Sequence, residues 1–461
     1  MSLTKDELLN LVREGARQMT LGEKLRLLVL LSMPAMIAQL SSVVMQIIDA
    51  AMLGHLGTRE SAAVGLVSTT IWLFGGLLSG IATGFYVQVA HKIGANDAKR
   101  ARSIIRQGII SGLLVSGLLA LIGIMVSPFL PYWLGASADI AGEATAYFDV
   151  VALSMPLLML NNLAAGSLRC SGNIKTPSML NVMMCFLDVV FNYVFIYICG
   201  LGTIGAAYGT FLAFAITSVC MMYSLVVKDP QLHFSLDRHQ KFKPHWDTIS
   251  TGFKIGTPIS LQRGVMSGAQ VAISGIIAPM GSVAIAANTF GVNVESLCYM
   301  PGYGIAEAST TLVGQSLGAR RADLMRSFAW LSVGLGVVVM AIMGAVMWLF
   351  APEMMSVVST DGAVINLGAE VLRIEAWAEP GFAASIVAYS VLVGAGKTVG
   401  SSFLNLSSIW VVRLTLSLLL APSMGLHGVW IAMAIELTFR GVAFVLMLCR
   451  KGWSRLGQVK S

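Results

Sequence analysis

The stretch SSVVMQIIDAAMLGHLG, residues 41–57, runs for six residues after its two serines, apolar but for Gln46, before Asp49 places a carboxylate among isoleucines and alanines. Its setting is given by the whole chain. Of 461 residues, 56% are hydrophobic and only 11% charged, and the mean hydropathy is +0.78. Such a composition does not describe a water-facing surface. The stretch is therefore read as part of a membrane helix, where a charge costs about 2.5–3.5 kcal/mol even on the lenient insertion scale and marks function by default.

Working outward, a hydrocarbon core about 30 Å thick needs roughly 20 mostly apolar residues per helix. That ruler predicts twelve spans, near 26–53, 61–91, 107–130, 143–168, 178–200, 203–227, 250–278, 283–315, 327–351, 366–393, 400–420 and 425–449. Nothing at the N-terminus has the pattern of a secretory signal peptide. Alternate connections are basic and nearly uncharged: one set, with both ends of the chain, holds 25 of the 30 Lys and Arg, and the other set offers only Arg59. The positive-inside rule then puts both termini and the long polar connector in the cytoplasm, in a bacterial plasma membrane. The net charge of +7 reflects this asymmetry. The basic loops lack the interleaved aromatic residues of a stacking platform, so no nucleic-acid partner is expected. Residues 4–18 begin Thr-x-x-Glu and carry Leu8, Leu9 and Val12, the pattern of a short capped helix lying at the membrane interface.

The chain also repeats itself. Adding 224 to a residue number pairs Pro34 with Pro258, Gly57 with Gly281, Ala62-Ala63 with Ala286-Ala287, Gly80 with Gly304, Gly94-Ala95 with Gly318-Ala319, Pro156 with Pro380 and Gly172 with Gly396. A two-residue deletion then pairs Lys175-Thr176 with Lys397-Thr398. Six spans per copy is an even number, so both copies enter from the same side and the repeat is parallel. The expected fold is an all-α integral membrane protein, with twelve transmembrane helices in two six-helix bundles related by a parallel pseudo-twofold repeat. Its expected parts are an N-terminal segment 1–25, an N-lobe 26–227, a linker 228–249, a C-lobe 250–449 and a tail 450–461.

Several strings now carry a family resemblance: the proline of span 1 followed by DAAMLGHLG, the paired VAHKIGANDAKRA and TLVGQSLGARRAD, LRCSGNIKTP with VGAGKT, and LDVVFNYVFIYICGLGTIGAAYGT across spans 5 and 6. Together they make the whole chain resemble the multidrug and toxic compound extrusion (MATE) family, and within it the DinF-like branch. The resemblance implies an antiporter that exports cationic or amphipathic organic compounds in exchange for H⁺ or Na⁺, with no other cofactor. NorM-like and eukaryotic members typically place an acid in mid-span 7, where this chain has Met266, so the resemblance implies that this C-lobe cation site is missing. The DinF-like branch usually shows Asn-x-x-Leu-Asp in span 5. Here the order is reversed, Asp188-x-x-Phe191-Asn192.

The residues themselves nominate candidates. Asn181, Asp188 and Asn192 share one face of span 5, and with Asp49 and Thr210 they are the candidate cation or proton-coupling site. Two carboxylates in one dry pocket repel when both are ionised, which a proton or metal cation relieves. Asn161, Asn162, Met266, Glu295 and Tyr299 are candidates for lining a substrate cavity. Glu375 and Glu379 stand behind Glu295, each with Arg263 or Arg373 as an alternative ion-pair partner, and Glu436 and Arg440 are read as an intrahelical pair. The 26 methionines suit a cavity that accepts varied apolar shapes.

Rival classes fare worse. A flippase for lipid-linked precursors would want a cationic cavity for pyrophosphate, whereas the buried ionisable groups here lean acidic. A membrane enzyme needs a nucleophile with a base, or a metal cluster. The single cysteines and the histidines at span ends (His55, His91 and His427) are expected to have no acidic partner at ligand spacing, so no metal site is expected. The remaining partners are the lipid bilayer and small organic cations, and the chain is expected to act as a monomer.

Overall fold

The computed structural model describes residues 3–15, 17–237, 243–450 and 452–454; parts of the expected N-terminal segment, linker and tail (1, 2, 16, 238–242, 451 and 455–461) lie outside them. The described residues form helices and no strand. The α-helices are α1 (Lys5–Glu14), α2 (Leu21–Leu56), α3 (Thr58–Gly94), α4 (Ala98–Val126), α5 (Leu130–Trp133), α6 (Ala138–Cys170), α7 (Lys175–Tyr193), α8 (Gly202–Tyr223), α9 (Trp246–Ile277), α10 (Ser282–Gly318), α11 (Ala322–Leu349), α12 (Ala351–Val358), α13 (Gly362–Ala376), α14 (Glu379–Gly394), α15 (Thr398–Ser407), α16 (Leu414–Met424) and α17 (Leu426–Cys449). Wide π-helical turns at Val194–Ile198, Ser224–Lys228 and Ser408–Arg413 continue α7 and α8 and join α15 to α16.

Among the described residues nine helices are long and apolar enough to cross a membrane, and the α13–α14 pair, bent by 58°, makes a tenth. The 32-residue α9 and 37-residue α10 are long enough but richer in polar side chains, and with them the long helices number twelve. Large apolar side chains point outward, Leu114 at 70% and Phe403 at 71% exposure, as a surface solvated by lipid requires.

The chain divides into two compact units, Ser41–Gly264 and Met1–Leu40 with Val265–Ser461. The boundaries differ from the expected lobes. Each cut falls inside a continuous helix, α2 or α9, and Leu40 and Gly264 are equivalent under the 224-residue repeat. The cause is close packing at glycine. A Cβ on Gly80 of α3 would lie 2.5 Å from the backbone nitrogen of Ser260, and one on Gly304 of α10 would lie 2.6 Å from that of Met36. Gly80 and Gly304 are repeat mates, and so are Ser260 and Met36. The first half of α9 is thus bound into the unit of α3, and the first half of α2 into the unit of α10.

The duplication extends to the backbone of the turns. Asn96 and Arg320, repeat mates, both adopt φ 57°, an uncommon conformation for a side chain other than glycine. Asn96 N donates to Ile93 O and Arg320 N to Leu317 O, each at 3.0 Å. One more element belongs to the second unit: α1, closed by a Thr4–Glu7 capping box, in which the Thr4 amide and hydroxyl hold the Glu7 carboxyl below its usual range. Its apolar face does not lie against the membrane interface as predicted. Leu8, Leu9 and Val12 are buried in the protein, Arg321 Nη1 donates to Leu11 O at 2.8 Å, and Arg13 Nε to Gln315 Oε1 at 3.3 Å.

Glycine-to-alanine substitution in a helix gains about 1 kcal/mol of propensity, whereas overpacking costs about 1–3 kcal/mol. A Cβ on Gly84 would lie 1.9 Å from Gly252 O, while nothing comes within 4 Å of one on Gly117 or Gly334. G84A and G304A are therefore expected to lower the thermal unfolding midpoint in detergent, and G117A and G334A to hold or raise it.

Candidate functional site

In the Ser41–Gly264 unit, α2 and α7 face one another along two rungs. At the first, Asn181 Nδ2 donates to Ser42 Oγ at 3.0 Å. Seven residues further along α2, about 10 Å at 1.5 Å per residue, and seven to eleven along α7, Asn192 Nδ2 donates to Asp49 Oδ1 at 3.0 Å and to Asp188 Oδ2 at 3.1 Å. Asp188 and Asn192 are one α-helical turn apart, and both are buried. The two carboxyl groups lie within hydrogen-bond reach of each other, and the Thr210 hydroxyl reaches Asp188. Five of the sequence candidates (Asp49, Asp188, Asn192, Thr210 and, one rung away, Asn181) therefore belong to one polar seam.

The amide of Asn192 has two N–H donors and spends both on carboxylates. Its own carbonyl, Oδ1, is buried and finds no donor. Gly209 of α8 explains the fit, because a Cβ there would come within 2.0 Å of that Oδ1 and 2.7 Å of Asn192 N. The seam thus presents oxygen atoms of two carboxyls, an amide and a hydroxyl, with the Asn192 amide bridging the acids and the Thr210 hydroxyl beside Asp188. That set suits a proton or a hard monovalent cation. Ser42, Tyr147, which is electrostatically close to both aspartates, and Gly209 are members that sequence reasoning missed.

Asn161 and Asn162 are not part of this seam. They follow Tyr147 on α6 by 14 and 15 residues, about 21 Å along the axis. Asn161 is buried with its Oδ1 unbonded, and Asn162 is half-buried.

The other unit holds a second group of ionisable side chains at membrane depth. Glu295 of α10, Glu375 of α13, Glu379 of α14 and Glu436 and Arg440 of α17 are all buried, and Arg413 ends the π-helical turn beside them. Glu436 Oε1 lies 3.4 Å from Arg440 Nε, as the four-residue spacing predicts, and accepts a hydrogen bond from Ser408 Oγ. Tyr299, a sequence candidate, stacks edge-on against Phe382 with ring centroids 5.3 Å apart and borders Glu295 and Glu379. Met266 is half-buried on α9. The expected partner of the acids is corrected. Arg373 is turned away, stacked on Trp348 and donating to its carbonyl at 3.3 Å. The cation near Glu295 and Glu375 is Arg413. His427, expected to have no acidic partner at ligand spacing, meets Glu370 at 2.7 Å on the exposed surface; 57 residues separate them, so the pair lies outside any local spacing.

Comparisons with known proteins agree with this architecture. The MatE family model matches residues 34–194 and 258–419, one match in each half of the repeat. The chain is 28% identical over 440 residues to a protein named probable multidrug resistance protein NorM from Neisseria meningitidis serogroup B, covering 93% of this chain and 95% of that one. It is 24% identical over 438 residues to the like-named protein of Thermotoga maritima, covering 93% of each. Among solved structures, a MATE crystal structure in complex with MaL6 superposes with a TM-score of 0.90 at 23% identity, over 98% of this chain and 99% of that one. An outward-facing multidrug resistance MATE transporter of the MOP superfamily gives 0.90 at 22% identity, over all of both chains. With a duplicated helical fold matched end to end and a family model covering most of each copy, the chain belongs to the MatE family and is a membrane transporter, not an enzyme.

Proposed function

We propose that this transporter is a secondary active antiporter exporting cationic or amphipathic organic compounds by alternating access, driven by inward movement of H⁺ or Na⁺ at the Asp49–Asn192–Asp188 seam. It sits in a bacterial plasma membrane with both termini in the cytoplasm. The observation that carries this reading is one amide shared by the buried carboxyl of Asp188 and the half-buried carboxyl of Asp49. Ionised together they hold two negative charges against two neutral donor groups, the Asn192 amide and the Thr210 hydroxyl, an arrangement that low dielectric makes costly. Any positive guest relieves that cost: a proton, Na⁺, or the ammonium of an organic cation. Guests that relieve the same cost compete, and competition for one charge-deficient site is the simplest form of exchange. The names of the NorM relatives support a drug-like cargo. The membrane potential adds about 2.3 kcal/mol per charge per 100 mV, enough to concentrate cargo outward when a coupling ion enters. A flippase for anionic lipid-linked precursors finds no support in a seam with no cation of its own.

Purified protein in liposomes, with pH and Na⁺ gradients imposed separately and a fluorescent organic cation followed, tests the reading. D49N and D188N are expected to fold, to bind cargo more weakly and to lose gradient-driven export; export at the wild-type rate by either variant would remove that residue from coupling. G209A changes no ionisable group but pushes Asn192 off the aspartates. Its gradient-driven rate is expected to fall about tenfold, equivalent to about 1.4 kcal/mol, with the fold retained by circular dichroism.

A further inference from the structure

α4 and α9 flank a groove of about 740 Å³ that lies wholly within the Ser41–Gly264 unit. Each helix starts at one of the chain's basic connections, and His245 N donates to Gln107 Oε1 at 3.1 Å at that end. Past this contact Leu114, Val115, Phe253 and Pro258 line the groove with apolar surface. Four donors interrupt it: the hydroxyls of Ser111, Ser250 and Thr257 and the ammonium of Lys254. Among the described residues none of the four has a hydrogen-bond or ion-pair partner, and Ser111 is only 8% exposed. A serine in a membrane helix commonly bonds back to the carbonyl one turn earlier, as Ser32 does to Leu28 O at 2.8 Å. Ser111 lines the groove instead.

Helix length sets the depth of these donors. α9 has 32 residues, about 48 Å at 1.5 Å per residue, against about 30 Å of hydrocarbon. Roughly 20 residues counted back from its far end at Ile277 reach Pro258, so Lys254 stands one turn outside the hydrocarbon, at headgroup level. The same count from Val126 on α4 puts Ser111 one turn inside it, within reach of lipid ester carbonyls. Trp246, a ring type of membrane interfaces, lines the end nearer water. The duplication supplies a control. At the 224-residue offset Ser111 is matched by Leu335, Ser250 by Arg26, Lys254 by Leu30 and Thr257 by Met33, while Pro258 keeps its proline in Pro34. Lipid-facing packing therefore needs none of these hydroxyls. Donors without acceptors cost free energy in hydrocarbon, so their presence in one copy alone points to a ligand that brings the acceptors.

We propose that the α4–α9 groove is a binding site for one phospholipid with an anionic headgroup. The phosphate faces Lys254, the ester carbonyls accept from Ser111 and Thr257, and an acyl chain lies along Leu114, Val115 and Pro258. Among the described residues that line the groove Lys254 is the only charged one. The acid nearest to it along α9, Asp247, stands seven residues earlier, about 10 Å toward water. A lysine at headgroup level favours an anionic lipid over a zwitterionic one and repels an organic cation, so the groove is not a path for the cargo proposed above. The lipid joins α4 to the first half of α9, the half that packs on α3 where Gly84 meets Gly252. Only the name of the leaflet, cytoplasmic, rests on the orientation proposed above.

The test is photo-crosslinking of the full-length protein in nanodiscs, with a diazirine on one acyl chain of phosphatidylglycerol or of phosphatidylcholine and the labelled peptides read by mass spectrometry. Labelling of residues 111–115 and 253–258 is expected to be about fivefold stronger with phosphatidylglycerol, the contribution of one lysine near an anionic membrane surface. That preference is expected to vanish in K254Q, which leaves packing intact because Lys254 is exposed. S111L and T257M, which install the residues of the other copy, are expected to lower labelling by both lipids, while residues 335–339 are labelled equally in the wild type and all three variants. Equal labelling by the two lipids, a preference retained in K254Q, or displacement of the lipid by tetraphenylphosphonium, which would assign the groove to cargo, would each overturn the proposal. Where S111L or T257M does not fold, S111A and T257A remove the hydroxyl without added bulk, and unchanged labelling of both counts equally against it.

Discussion

Inside a membrane protein a carboxylate cannot call on bulk water, so whatever compensates it must be built into the fold or arrive with a guest. That constraint organises both polar groups in this chain. In the Ser41–Gly264 unit the compensation is neutral: the Asn192 amide, whose two N–H groups reach Asp49 and Asp188, and the Thr210 hydroxyl beside Asp188. Two aspartates offer more acceptor positions than one amide can fill, so the built-in supply falls short and the shortfall is chemically specific: it calls for positive charge at oxygen ligands. Gly209 fixes the amide that sets this shortfall, because any side chain there would occupy the place of Asn192 Oδ1. Backbone packing thereby governs the electrostatics of the seam.

Duplication has kept the packing and discarded the symmetry of the chemistry. The turns at Asn96 and Arg320 and the left-handed glycines Gly172 and Gly396 recur, and so do the Gly80–Ser260 and Gly304–Met36 contacts, where a Cβ on either glycine would meet the backbone of the facing helix. The acids do not recur. Asp49 is matched by Ile273, and Glu375 and Glu379 by Val151 and Met155. A buried charge destabilises the fold wherever it stands, so a second copy persists only where it is used.

The same distinction explains what could be seen in the sequence. Hydropathy over some 20-residue windows reports one-dimensional information, and the twelve long helices follow from it. The seam was legible because Asp188 and Asn192 are four apart on one helix and Asp49 interrupts an apolar run. What escaped depends on tertiary contact between distant segments. Arg413 lies 38 residues beyond Glu375 in sequence, and the choice of Arg413 over Arg373 is made by the π-helical turn and by Trp348, which captures Arg373 instead. Amphipathicity gave the α1 helix correctly and its surroundings wrongly, because a buried protein groove and a membrane interface accept the same apolar face.

The break between α13 and α14 shows how little a proline decides alone. Pro380 and Pro156 are repeat mates, yet α6 runs unbroken through Pro156 while the chain bends by 58° just before Pro380. Proline removes a backbone donor in both copies, so it permits a break without imposing one. At the bend Glu375 stands in the last turn of α13 and Glu379 in the first turn of α14. A helix presents partial negative charge at its C-terminal end and partial positive charge at its N-terminal end. Two glutamates four residues apart on a continuous helix would face the same field. Across this break they face fields of opposite sign, so the bend, and not the residue type, makes the two acids inequivalent.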